Sequence, residues 1–79
     1  MALLLRFNLT PERASLGSLL GILERQNLAV TYVHALQYDA NRRMKVQVRL
    51  DAQDTSPRKL EHLISAQDGV THVTVDHFG

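Results

Sequence analysis

With 79 residues and a formal net charge of +1, the chain is sized for one small domain and offers no electrostatic case for nucleic acid or a membrane surface. It has no cysteine, so disulfides cannot supplement a core this small, and its composition fits a reducing compartment. The early apolar run Ala2 to Leu5 is too short for a bilayer span and lacks the basic flank of a signal peptide, so a cytoplasmic chain with no direct membrane contact is expected.

The hydrophobic period changes in a definite order. Leu3, Leu5, Phe7 and Leu9 alternate with period two and predict a first strand. Thr10-Pro11 then reads as an N-cap followed by proline at the first helical position, opening a helix to about Gln26 with an apolar stripe at Leu16, Leu19, Leu20 and Leu23. Gly17 and Gly21 lie on one face of that helix. Their spacing predicts a backbone seated low on the sheet, with close approach to a partner as the alternative. Asn27 suits the left-handed residue that ends it.

Period two returns at Val30, Tyr32 and His34. The turn formers Asp39-Ala40-Asn41-Arg42 lead into Met44, Val46, Val48 and Leu50, with Lys45, Gln47 and Arg49 on the opposite face. Ser56-Pro57 repeats the cap-then-proline signal for a second helix carrying Leu60, Leu63 and Ile64, which Asp68-Gly69 closes. A last strand runs from Val70 to Asp76. The predicted class is α+β: a ferredoxin-like βαββαβ sandwich, with two helices on one face of a four-stranded antiparallel sheet and the second and fourth strands at its edges.

That fold hosts several chemistries, and the residues test each. A metal carrier needs paired thiolates, and the chain has no cysteine. RNA recognition needs aromatic residues on the outer face of the first and third strands, where this chain has Leu4, Arg6, Asn8, Lys45, Gln47 and Arg49. An acylphosphatase-like anion loop needs glycine beside its arginine, and the segment Asn8 to Arg13 has none. No Gly-x-Ser-x-Gly elbow and no phosphate-cradling loop is present, so a non-catalytic chain without cofactor is expected. None of His34, His62, His72 and His77 pairs at a metal-ligand spacing. They are read as surface or edge residues, with a metal site assembled across strands as the alternative.

The stretch Leu16-Gly17-Ser18-Leu19-Leu20-Gly21-Ile22-Leu23, continuing through Leu28-Ala29-Val30, resembles the first helix and second-strand entry of the ACT regulatory domain. Leu60 to Val75, with Asp68-Gly69-Val70-Thr71-His72-Val73, is similar to that family's closing pattern. Arg6-Phe7-Asn8 and Ser56-Pro57-Arg58 look most like the short small subunits of acetolactate (acetohydroxyacid) synthase. The resemblance implies one ACT-like domain over residues 1–79 that dimerises and serves the thiamine-diphosphate-dependent large subunit as a non-catalytic regulatory or activating subunit.

It further implies amino-acid binding at the subunit interface, through the loop after the first strand and the start of the second. The positions so implicated are Asn8, Thr10, Ala14, Ser15 and Ala29. The chain departs from the family pattern at two of them, since Ala14 stands where a glycine is usual and Ala29 where many amino-acid-sensing members have asparagine. Two other readings of the resemblance are a module of a longer protein, such as the cytoplasmic domain of an MgtC-like membrane protein or of a stringent-response enzyme, and a free-standing metabolite sensor.

Overall fold

The computed structural model describes residues 2–77. Its elements are β1 (Ala2–Leu9), α1 (Leu16–Arg25), β2 (Ala29–Gln37), β3 (Met44–Asp51), α2 (Pro57–Ser65) and β4 (Val70–His77). The strands form one antiparallel sheet in the order β2-β3-β1-β4, with both helices packed on one face. The ferredoxin-like sandwich expected from the sequence is the fold.

The core follows from alternation in the two central strands. Leu3, Leu5, Phe7 and Leu9 stand opposite Leu50, Val48, Val46 and Met44, all on the helix-covered face. Leu19 and Leu23 of α1, and Leu60 and Ile64 of α2, close over them. No polar or charged side chain is buried among the described residues, so the interior needs no compensating hydrogen-bond network.

The helix ends divide between expectation and correction. Thr10 does not cap α1: its carbonyl accepts from the N–H groups of Arg13 (3.0 Å) and Ala14 (3.2 Å), and Pro11 sits inside that turn. The helix starts five residues later, where the Ser15 hydroxyl accepts from the Ser18 N–H at 3.1 Å. Proline suits the second position of a turn as well as the first of a helix, and here the turn wins. At the other end, Asn27 is left-handed (φ 59°). The Leu28 N–H reaches the Leu23 carbonyl and the Asn27 N–H the Glu24 carbonyl, a Schellman closure with both leucines buried. In α2, Ser56 caps the Lys59 N–H as its sequence predicts.

Both edge strands carry a bulge. Between Val30 and Tyr32 the pairing with β3 slips by one residue, so Tyr32, His34 and Leu36 stand opposite Arg49, Gln47 and Lys45 on the open face. Val30, Val33 and Ala35 face the helices instead. The unbroken alternation Val30-Tyr32-His34 is therefore corrected: the inserted Thr31 sends Tyr32 and His34 to the other side. In β4 the slip lies opposite Phe7, at His72 (φ 56°), which lets Val70 and Val73, three apart, both face inward.

The expectation that Gly17 and Gly21 seat α1 low on the sheet is also corrected. A Cβ at Gly17 would meet nothing within 4 Å, and one at Gly21 only the tip of Arg25 at 3.7 Å. Urea denaturation of two variants tests the packing. Leu60→Ala, which empties a fully buried site, should cost about 2–5 kcal/mol. Gly17→Ala should gain up to about 1 kcal/mol, and a loss there would show that a Cβ is not tolerated on that face.

Candidate functional site

The segment between β1 and α1 is held in place by the turn that precedes β4. The Thr10 N–H donates to the Gly69 carbonyl at 2.8 Å, and Arg13 lies 3.5 Å from the Asp68 carboxylate in an exposed ion pair. Gly69 has φ 81°, and a Cβ built on it would lie 2.8 Å from the Arg13 Cβ and 3.2 Å from the Ala14 Cβ. Here glycine is required twice, by the backbone angle and by the approaching loop. Ala14, set where the family resemblance places a glycine, packs partly buried against the core.

Four of the five implicated residues thus gather at one end of the sheet. Asn8 is on the last turn of pleat in β1, with Thr10, Ala14 and Ser15 beyond it. Much of their hydrogen-bonding capacity is already used. Thr10 is engaged through its backbone, and the Ser15 hydroxyl both caps α1 and donates to the Ser18 hydroxyl at 2.8 Å. Ala29 is elsewhere. Registers put Leu9, Met44 and Gln37 at one end of the sheet and Ala2, Asp51 and Ala29 at the other, seven strand residues or roughly 23 Å away. A single protomer does not bring Ala29 to the loop, so a ligand touching both sets needs a second chain.

The sheet's open face has a polar assembly that residue spacing alone does not disclose. Arg6 stands opposite both Gln47 and Thr74, and Asn8 opposite both Lys45 and Thr71. The bulge brings His72 to this side, with its Nδ1 at 3.3 Å from Asn8 Nδ2 and 3.1 Å from Thr71 Oγ1. Asn8 Nδ2 can only donate, so in this contact Nδ1 of His72 is the acceptor. Arg6, Asn8, Lys45, Gln47, His72 and Thr74 line a shallow groove of about 290 Å³, floored by the Phe7 and Val46 backbone. A left-handed φ at a non-glycine residue could have been found from sequence only through the odd three-residue step between Val70 and Val73.

Next to this face, cations lie over aromatic rings. Arg49 is 5.1 Å from the centroid of Tyr32, and Arg43 and Lys45 are 5.7 and 5.4 Å from that of Tyr38. The hairpin loop is set by Asp39, whose Oδ1 accepts from the N–H groups of Asn41 (3.1 Å) and Arg43 (3.0 Å) while Oδ2 pairs with the Arg43 guanidinium. Desolvation acts to raise the Asp39 pKa, but hydrogen bonds from the Arg43 side chain and backbone, its charge and the Asn41 N–H outweigh it and hold the carboxyl below its ordinary value. Among the described residues, no group of three or more His, Asp or Glu is arranged to hold a metal, and no helix is long and apolar enough to cross a membrane. No family model matches the chain, and no curated protein compared with it is significantly similar.

Two measurements check these local arguments. Gly69→Ala should lower stability by at least about 1–2 kcal/mol in urea, because it pays for a left-handed backbone and collides with the Arg13–Ala14 loop. For Asp39, a lowered folded-state pKa means a contribution present above the unfolded carboxylate value of about 3.9 and lost as pH falls through the folded one. The stability difference between the wild type and Asp39→Asn should therefore be flat near neutrality and shrink only in acid. A difference that grows on acidification would contradict the assignment.

Proposed function

We propose that the chain is a non-catalytic, ACT-type regulatory subunit that acts on a separate enzyme of amino-acid biosynthesis. The favoured partner is the thiamine-diphosphate-dependent large subunit of acetolactate synthase. The observation that carries this reading is the coincidence of fold and motif. The quoted stretches fall on elements of a βαββαβ sandwich, and Gly69 of the closing pattern occupies a position that no other residue fills without strain. Ser56-Pro57-Arg58 opens α2 through the Ser56 cap, and Arg6-Phe7-Asn8 lies in the central strand with Phe7 in the core.

Activation without feedback fits the loop better than sensing does. Alanine at positions 14 and 29 removes the usual glycine and asparagine, and the Thr10 N–H and Ser15 hydroxyl already have partners within the chain. Addition of the chain to a purified acetolactate synthase large subunit should raise its activity, and valine, leucine or isoleucine should neither reverse that rise nor shift the melting temperature of the isolated chain. Unchanged activity at saturating ratio would remove the partner assignment. Inhibition by a branched-chain amino acid would restore the sensor reading.

Dimerisation belongs to the same proposal, and β2 is its best edge. The strand AVTYVHALQ contains no Asp, Glu, Lys or Arg, the charges with which exposed edges ordinarily discourage pairing. Leu36 is 56% exposed and Tyr32 48%. Antiparallel pairing of β2 with its copy would continue the sheet to eight strands. Leu36→Lys, an exposed change that leaves the core untouched, should shift the chain towards monomer in sedimentation velocity; an unaltered dimer would take β2 out of the interface.

A further inference from the structure

We infer that the groove on the open sheet face is a binding site for a small anion, taking a carboxylate or phosphate group between Arg6, Lys45 and His72. This inference goes beyond the regulatory reading. The groove lies on the uncovered face of the sheet; it shares Asn8 with the positions implicated in amino-acid binding but not the Thr10–Ser15 loop, and it does not depend on an enzyme partner.

Three observations converge on it. The first is charge: of the six side chains that line the groove, two are permanent cations and none is acidic. The second is availability. Among the described residues the ion pairs formed are Arg13–Asp68 and Arg43–Asp39, neither of which involves Arg6 or Lys45; Arg6 makes no hydrogen bond there either, and Lys45 is engaged only over the Tyr38 ring, 5.4 Å from its centroid. Asp76 is the acid nearest in register, one open-face position beyond Thr74, and it forms no ion pair with Arg6. The third is the bulge. A left-handed φ of 56° at a histidine is an uncommon conformation, and bulges commonly re-aim a side chain next to a functional site. Here the bulge sets His72 beside Asn8, in the lining of the groove.

Donors of suitable geometry are therefore supplied from three adjacent strands. The Arg6 guanidinium presents a planar fork that matches either oxyanion in a bidentate manner, and the Lys45 ammonium adds a point charge two strand positions away across the β1–β3 pair. Gln47 and Thr74 flank Arg6 and provide neutral hydrogen bonds. The hollow is open, so the expected ligand is compact and exchanges readily.

The test is a titration of the full chain at low ionic strength with inorganic phosphate and, separately, with succinate, read as amide chemical-shift changes by NMR. Saturable shifts should concentrate at Arg6, Asn8, Lys45 and His72. Arg6→Gln should weaken binding on the order of tenfold by removing the bidentate partner, and Lys59→Gln, on α2, should leave it unchanged. Both substitutions are at exposed positions, and matching spectra away from the site verify that each variant is folded. Saturation by phosphate alone assigns a phosphate ligand, and saturation by succinate a carboxylate. Linear, unsaturable shifts with both anions, or saturable binding that Arg6→Gln does not weaken, would overturn the proposal. Neither result depends on the activity of any partner enzyme.

Discussion

The central strand β1 is the constraint on which the remaining structure depends. It pairs on both sides, with β3 and with β4, and its inward residues Leu3, Leu5, Phe7 and Leu9 are each no more than 3% exposed. Because a strand alternates strictly, burying those four leaves Leu4, Arg6 and Asn8 on the other side. One commitment thus makes both the core and the polar face. Leu4 shows how tightly the two are linked: it is buried but stands outside the main core, between Arg49 and Asp76 on the open face.

Among the described residues the interior holds no polar or charged side chain, which bears on stability. A domain of this size buries a limited fraction of its surface, and among the described residues no buried side-chain hydrogen bond or ion pair assists it. The ion pairs Arg13–Asp68 and Arg43–Asp39 are screened by solvent and contribute little by comparison. Order outside the core is instead imposed by backbone devices: the Schellman closure at Asn27, the Ser15 and Ser56 caps, the Asp39 loop and the Gly69 contact. Of these the Gly69 contact, with the Thr10 N–H on its carbonyl, holds the β1–α1 segment against the start of β4.

The edges decide how the molecule meets others. β4 has Asp76 and two histidines, while β2 is uncharged and keeps large apolar side chains at the rim. Cation–aromatic contacts at Tyr32 and Tyr38 cover part of that rim from the open face. The sheet is consequently asymmetric, with a basic groove towards β4 and an apolar, uncharged edge at β2. In that arrangement a partner at the β2 edge and a small anion in the groove would not compete for the same atoms.

The order of elements, the core of β1, β3 and both helices, and the left-handed Asn27 were legible in the sequence, because each is governed by periodicity or by a local backbone preference. Three things were not. The start of α1 turned on whether Pro11 opens a helix or a turn, which the sequence allows equally and the contact of Thr10 with Gly69 resolves. The face of Tyr32 and His34 was lost to the Thr31 bulge, since one inserted residue inverts everything after it. The separation of Ala29 from the loop, and the meeting of Arg6, Lys45 and His72, are products of strand order and register. Local pattern determines which residues become strands and which side is apolar; which residues become neighbours across 64 positions of chain, as Asn8 and His72 do, is decided only when the sheet assembles.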